Sequence, residues 1–232
     1  VIVNAIWIGD HFPLLQQMCA QSWIDHGHEY HLWVYRMIPN APRGVIIYDA
    51  AVILPGKIHL YQDAGHQGSP VLHANLFRYE FLAKRGGAFI DADTLCLATF
   101  DLSDGFVFSS EGTRQRPNFA FVNVPEERTG FARACVTEAR QRLSDPSWGG
   151  FGPALLAEQI EVHGLARKVL SPEVFCPLNW NKTPQFFESP PPSLDGSLGV
   201  HLWQQVLRKN GRDLNATYPA DSLWEQWKAK HA

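Results

Sequence analysis

The chain has 232 residues, 45% of them apolar and 12% aromatic, which is enough for the core of one fair-sized domain and excludes global disorder. Twenty Lys and Arg against 23 Asp and Glu give a formal net charge of −3, so no nucleic-acid partner is expected. No run is long enough for a membrane span and no leader is visible, so a cytoplasmic location is expected, at most peripheral to a membrane.

Residues 1–8, VIVNAIWI, form a near-continuous apolar strand that ends at Gly9-Asp10. Such a strand suits the middle of a sheet covered on both faces. Residues 13–23 carry Leu14, Leu15, Met18, Cys19 and Trp23 at helical spacing, and residues 30–35, YHLWVY, form a second strand. Strand, helix and strand in that order point to an α/β layered domain. Short apolar stretches follow at 44–48 and 51–54, split by Asp49. The glycine-bearing stretch 56–70 contains His59, Asp63 and His66 at no standard ligand spacing, and is expected to be a mobile or acceptor-side loop.

The spacing predicts a helix over 71–84. Val71, Leu72, Leu76, Tyr79 and Leu82 make one apolar stripe, and Phe77 and Phe81 a second, so the helix should be largely buried. Asn75 and Arg78, three residues apart, share a face. Gly86-Gly87 stop the helix, 88–90 form a short strand, and Asp91-Ala92-Asp93 stand at its C-terminal end. Further strands are expected at 105–109 and 118–123, helices at 129–143 and 153–163, and a short edge strand at 169–175. A glycine-rich turn, SWGGFGP, spans 147–153. Pro190-Pro191-Pro192 opens an extended connection, followed by His201-Leu202-Trp203, a helical run to 208 and a C-terminal helix over 221–230. One domain is expected over 1–232, with 190–232 packing back on it. Cys19, Cys96, Cys135 and Cys176 are widely spaced without a CxxC pair, so buried free thiols are expected, with two bridges left open.

Two carboxylates at i and i+2 face opposite sides of a regular strand. At a strand end the backbone turns, and both can approach one cation. A hard divalent ion such as Mg²⁺ or Mn²⁺ prefers such oxygen ligands, can bridge a diphosphate, and would here sit where open sheets place ligands. Arg78, one helix upstream, either matches phosphate and sugar oxygens with its several donors or braces Asp91 or Asp93 as an ion pair. A metal-dependent transferase of phosphate or diphosphate compounds is the function these residues indicate.

The stretch from Leu76 to Leu82, LFRYEFL, followed by Arg85 to Asp93, RGGAFIDAD, resembles the core of glycosyltransferases with the DXD sugar-binding region. This is the family 32 group, with its α-1,6-mannosyltransferase, α-1,4-galactosyltransferase and capsular-polysaccharide relatives. Their pattern is SD, then R, then GGxYxDxD; here Ala74-Asn75 stand at SD and Phe89 at the aromatic position. Ile6-Trp7-Ile8-Gly9, Ser22-Trp23, His31-Leu32-Trp33, Gly152-Pro153 with Leu155-Leu156, Phe175-Cys176-Pro177-Leu178 and His201-Leu202-Trp203 resemble further segments of the group.

The resemblance implies a GT-A-type α/β fold, a single Rossmann-like domain with a mainly parallel mixed sheet flanked by helices. It implies a retaining transferase that moves a sugar from a nucleoside-diphosphate sugar, a UDP-sugar by preference, to a glycan or other acceptor for polysaccharide or glycoconjugate synthesis. Asp93 and His201 would be the metal ligands, with Mn²⁺ favoured over Mg²⁺ and Asp91 a further ligand that also holds the donor. Arg78, Asn75 and Gly87 would bind donor sugar or phosphate, and Trp7, Ile8 and Gly9 would flank the nucleotide. Asp91, Asp93 and Arg78 would serve catalysis directly. Asn75 stands where the group often has a donor-binding aspartate, which leaves room for a weak or inactive nucleotide-sugar binder. A metal-dependent phosphohydrolase and a purely structural protein are also compatible with the residues. Glu111 and Asn118 are candidates for a nucleophile, although loop hydrogen bonding is the commoner use of such residues.

Overall fold

A computed structural model of the chain describes residues 1–62, 66–102, 105–144 and 150–232. Asp63 and residues 147–149, named above within two loops, lie outside the described residues. β1 (Ile2–Trp7), β2 (Glu29–Val34) and β3 (Ile46–Asp49) precede β4 (Gly87–Phe89); β5 (Thr94–Cys96) follows it, then β6 (Val107–Glu111), β7 (Arg116–Val124) and β8 (Gly199–His201). The helices are α1 (Leu14–Asp25), α2 (Val71–Arg85), α3 (Gly130–Gln141), α4 (Pro153–Val162), α5 (Gln204–Lys209) and α6 (Leu223–His231).

Six strands form one sheet in the order β3-β2-β1-β4-β7-β6. The first four run parallel, and β7 pairs antiparallel with both β4 and β6. The sheet is therefore mixed and mainly parallel. β1 lies in its middle, and its Val3, Ala5 and Ile6 are buried, as its continuous apolar sequence requires. Asn4 is the one polar residue of β1. Its amide donates to the Ala88 carbonyl at 3.1 Å and accepts the Trp33 indole at 2.9 Å, so a single satisfied side chain ties β1 to β2 and β4.

α2 is buried on most sides, including Leu76, Phe77, Tyr79, Phe81 and Leu82. Each such large side chain contributes roughly 1.5–3 kcal/mol by leaving water. The buried Glu80 carboxylate pairs with Arg140 and so ties α2 to α3. Gly86 ends α2 at φ 66°, and a Cβ there would lie 2.6 Å from the Glu126 Cα. Both the left-handed backbone and the close approach of that neighbouring chain demand glycine.

The stretch 169–175 is not an edge strand. Val169 makes one isolated bridge to Phe108, and Pro172–Val174 is a 3₁₀ turn. Pro172 lacks the N–H a strand ladder needs and favours the first turn of a helix. β5 is not foreshadowed by the sequence, because three residues show no periodicity. It pairs antiparallel with β8 in a two-stranded ribbon apart from the main sheet. The ribbon rests on α1, where the Trp23 indole donates to the Thr94 carbonyl at 2.8 Å and the Ser22 hydroxyl accepts the Cys96 N–H at 2.8 Å.

α6 opens on a Ser222 cap to the Glu225 N–H. Its Trp224 and Trp227 share a core with Leu15 and Met18 of α1 and Leu95 and Val200 of the ribbon. The C-terminal segment is thus joined to the N-terminal part through one apolar cluster. All four cysteines are buried and free. No helix among the described residues is long and apolar enough to cross a membrane.

Candidate metal and donor site

Three separate pieces of chain converge just past the end of β4. Ile90 N donates to the Asn4 carbonyl at 2.8 Å and Asp91 N to the Phe119 carbonyl at 2.8 Å, so β1 and β7 hold the strand end from both sides. Thr94 N then returns to the Asp91 carbonyl at 3.0 Å. That turn breaks the strand alternation and brings the Asp91 and Asp93 side chains to one place.

The ribbon supplies the third ligand. In its register Thr94 faces His201, and Leu202 N donates to the Asp93 carbonyl at 2.9 Å. Gly199 makes the close crossing feasible, since a Cβ there would lie 2.9 Å from the Leu95 carbonyl and from the Phe175 ring. His201 Nε2 stands 3.3 Å from Asp93 Oδ1 and 3.7 Å from Asp91 Oδ2. One ligand atom from each of the three residues lies within 4.8 Å of the others, close to the roughly 4 Å that ligands about 2.1 Å from a common ion can span.

The remaining oxygens are assigned. Asp93 Oδ2 accepts the Gln204 N–H at 2.8 Å. This contact depends on Trp203, which takes the left-handed conformation (φ 54°, ψ 46°) and turns the chain from β8 into α5. A non-glycine residue there is strained, and such strain is a mark of functional sites. The Trp203 ring lies against His201, 4.1 Å between centroids, and its indole donates to the Leu178 carbonyl at 2.9 Å. Asp91 Oδ1 accepts from Arg78 Nη2 at 2.6 Å. The Arg78 guanidinium lies 4.1 Å from the Phe119 ring centroid, which fixes its plane. Its Nε is buried without a partner among the described residues, a cost that an oxygen of a bound ligand would relieve.

The charges reflect this crowding. Burial raises the Asp91 carboxyl above its ordinary range, although Arg78 and His201 oppose the shift. Burial also acts to raise Asp93, but His201 and the Gln204 N–H outweigh it, and the net shift is downward. For His201, burial favours the neutral ring, yet Asp93 beside it drives the net shift upward. A cation needs the neutral ring of His201 as its ligand, so cation binding competes with protonation of that ring. Two carboxylates and one imidazole form a donor set that suits Mn²⁺ better than Mg²⁺.

Two cavities flank this centre and share Val71, Ala74, Arg78, Asp91, Asp93, Gln204 and Gln205. The first, about 610 Å³, extends over Trp7 and Ile8, residues 66–70 and Arg208. The second, about 500 Å³, extends over Asn75, Glu111, Asn118, His201 and Trp203. Gly9 lines a third hollow of about 310 Å³ with Ile8, Tyr35 and Arg36.

The fold therefore brings Trp7, Ile8, Asn75, Arg78, Asp91, Asp93 and His201 to the walls of two joined cavities. Gly87 does not line any of these three cavities. It sits at φ 80° at the start of β4, opposite Val124, where glycine suits the backbone. Residues 66–70 of the loop expected on the acceptor side line the first cavity with Trp7, while Tyr61 lines the second. Asn118 uses its amide oxygen within the fold, on the Ser109 hydroxyl at 2.6 Å and the Ala120 N–H at 3.2 Å. Sequence reasoning misses Gln204, Gln205 and Arg208, which follow directly on His201-Leu202-Trp203. Gln204 and Arg208, at i and i+4 of the helix, offered a weak signal of a shared polar face.

Residues 125–227 match the family described as Alpha 1,4-glycosyltransferase conserved region. That span holds His201, Trp203 and α5, and stops short of Asp91 and Asp93. No curated protein matches the chain. Among solved structures, a chain titled PaToxG Glycosyltransferase is similar in fold: 15% identity, 72% of this chain and 71% of that chain covered, and a TM-score of 0.52. The conserved region and the GT-A-like fold together make this protein a glycosyltransferase.

Proposed function

We propose that this glycosyltransferase moves a sugar from a UDP-sugar to a hydroxyl of a glycan or glycoconjugate, with retention at the anomeric carbon and with Mn²⁺ as its cofactor, Mg²⁺ serving in its place. The observation that carries the reading is the convergence of Asp91, Asp93 and His201 beside Arg78, on the wall between two cavities. A bound divalent cation would supply neutralisation of the negative charge on the departing nucleoside diphosphate.

Asp93 and His201 are the principal ligands in this reading, since they lie closer to each other than Asp91 does to His201. Asp91 completes the triad and, held by Arg78, is placed to accept hydroxyl hydrogens of the donor. The first cavity takes the nucleotide, with Trp7 and Ile8 along it and Arg208 adding positive charge. The sugar lies over Arg78, whose unpartnered Nε donates to a donor oxygen. Asp91 and Asp93 are already engaged by Arg78 and Gln204, which favours front-side departure and attack over a covalent enzyme intermediate.

Thermal unfolding with Mn²⁺, with UDP or GDP, and with both together tests the site. Nucleotide and metal at 100 times their Kd should raise Tm by roughly 5–10 °C. Turnover of labelled nucleotide sugars should then release a nucleoside diphosphate, in a reaction that needs Mn²⁺. Release of inorganic phosphate would instead indicate a phosphohydrolase. A second reading, a nucleotide-sugar binder without turnover, is favoured by one observation: the neutral amide of Asn75 lies on the wall of the second cavity, packed against Gly152. It predicts the Tm shift without any product.

A further inference from the structure

The second cavity carries groups that neither the metal nor the nucleotide uses. Glu111 ends β6 on its wall. Asn118 Nδ2 donates to one of its carboxylate oxygens, Oε2, at 3.3 Å, and the hairpin register places Arg116 across from it. Oε1 has no protein partner among the described residues, so Glu111 presents a free acceptor to the cavity. The carboxylate belongs to the second cavity alone and does not line the first.

Trp180, 52% exposed, is the largest exposed apolar side chain among the described residues. A single exposed apolar residue means little by itself. The neighbours of Trp180 give it meaning. Asn179 caps the turn that Trp180 begins, and its Nδ2 lies 3.7 Å from where a Cβ on Gly112 would sit, one residue past Glu111. On its other side, the Leu178 carbonyl accepts the indole of Trp203, which lines the same cavity. The segment 178–180 therefore runs beside Gly112 and is tied to Trp203, and it carries the exposed indole of Trp180.

A flat aromatic ring beside a free carboxylate and an amide is a combination suited to a pyranose. The ring covers the apolar C–H face, and the carboxylate accepts hydroxyl hydrogens. We propose that the second cavity is the acceptor subsite, that Glu111 binds a hydroxyl of the acceptor sugar inside it, and that Trp180 stacks on the next sugar out. The acceptor is then an oligosaccharide of at least two units, not a lone monosaccharide, a lipid or a peptide side chain. This rests on the transferase reading and narrows it to one class of acceptor.

An array of mono-, di- and trisaccharide glycosides, probed with the full chain in Mn²⁺ and UDP, tests the assignment. Wild type should bind some di- or trisaccharides at least tenfold more tightly than any monosaccharide. Trp180→Ala should remove that advantage, a loss on the order of tenfold for burial of one sugar face, while Trp180→Phe should keep most of it. Glu111→Gln should weaken all saccharides that bind. Neither variant should change the Tm shift caused by UDP and Mn²⁺, since neither residue reaches the first cavity. If UDP and Mn²⁺ stabilise the protein but no saccharide binds, or Trp180→Ala binds disaccharides as wild type does, the acceptor assignment is wrong and the donor site stands. If UDP and Mn²⁺ do not stabilise it, the transferase reading fails first.

Discussion

The two halves of the molecule contribute to one centre by different physical means. The N-terminal half, β1 to β4 with α1 and α2, delivers Trp7, Asp91 and Arg78 from the ends of regular parallel strands and from a buried helix. Their positions follow from ordinary pairing and packing. The C-terminal half delivers His201 and Gln204 through a three-residue ribbon, a close glycine crossing and a left-handed tryptophan. Each is an irregular device with an outside contact: Trp23 bonds the ribbon, Phe175 packs on the glycine crossing, and Leu178 holds the tryptophan. A regular scaffold can thus hold one side of a metal centre with little strain, while the opposing ligand is brought in by a strained segment that the scaffold over-determines.

Substitutions in each half put that contrast to the test. The largest effect should come where the halves meet. Asp93→Asn keeps an oxygen for the Gln204 N–H but removes the charge between His201 and the cation site. Transfer should fall on the order of 10²- to 10³-fold with the fold intact, measured as labelled sugar transferred under saturating donor. Chelation of metal from wild type should reproduce the loss, and added Mn²⁺ should reverse it. Unchanged turnover in the variant would falsify Asp93 as a ligand.

Next comes the regular half's tightest point. Gly86→Ala combines a left-handed backbone with a Cβ 2.6 Å from Glu126, and should destabilise by about 3 kcal/mol or more in urea unfolding. Gly27→Ala meets the same backbone demand at φ 78° with nothing within 4 Å, and should cost only about 1 kcal/mol. Equal costs would show that the close approach of 124–126 is not the source of the constraint. A smaller effect on transfer than that of Asp93→Asn is expected for Arg78→Lys. An ammonium can keep the charge next to Asp91 but loses the flat contact with Phe119 and the second donor. We expect transfer to fall on the order of 10-fold, and stability by about 1–2 kcal/mol. A variant with wild-type rates would show that Arg78 is a brace only and does not touch the donor.

What is legible in the sequence follows the same division. The parallel α/β core, α2 and the DxD turn are readable because burial on both faces leaves continuous apolar runs, and helical burial leaves stripes. The roles expected for Asp91, Arg78 and His201 come from a resemblance to known sequences, and no periodicity points to His201. Gly87 is tied to the donor by motif position alone, whereas its surroundings show a glycine needed for backbone shape. The expected strand at 169–175 fails because apolar content without ladder partners does not make a strand.

Local pattern alone was enough to specify the layered core and the pair of carboxylates at a strand end, since apolar periodicity and chain reversal are encoded in neighbouring residues. Which distant residue completes the pair was settled by three-dimensional packing. The register of β5 with β8 places His201 beside Asp93 across more than a hundred residues, and the left-handed turn at Trp203 aims Gln204 at the same carboxylate. Packing likewise brought Glu111 into the wall of the cavity that His201 and Trp203 line. Such long-range contacts depend on how every intervening element packs, which no local spacing records.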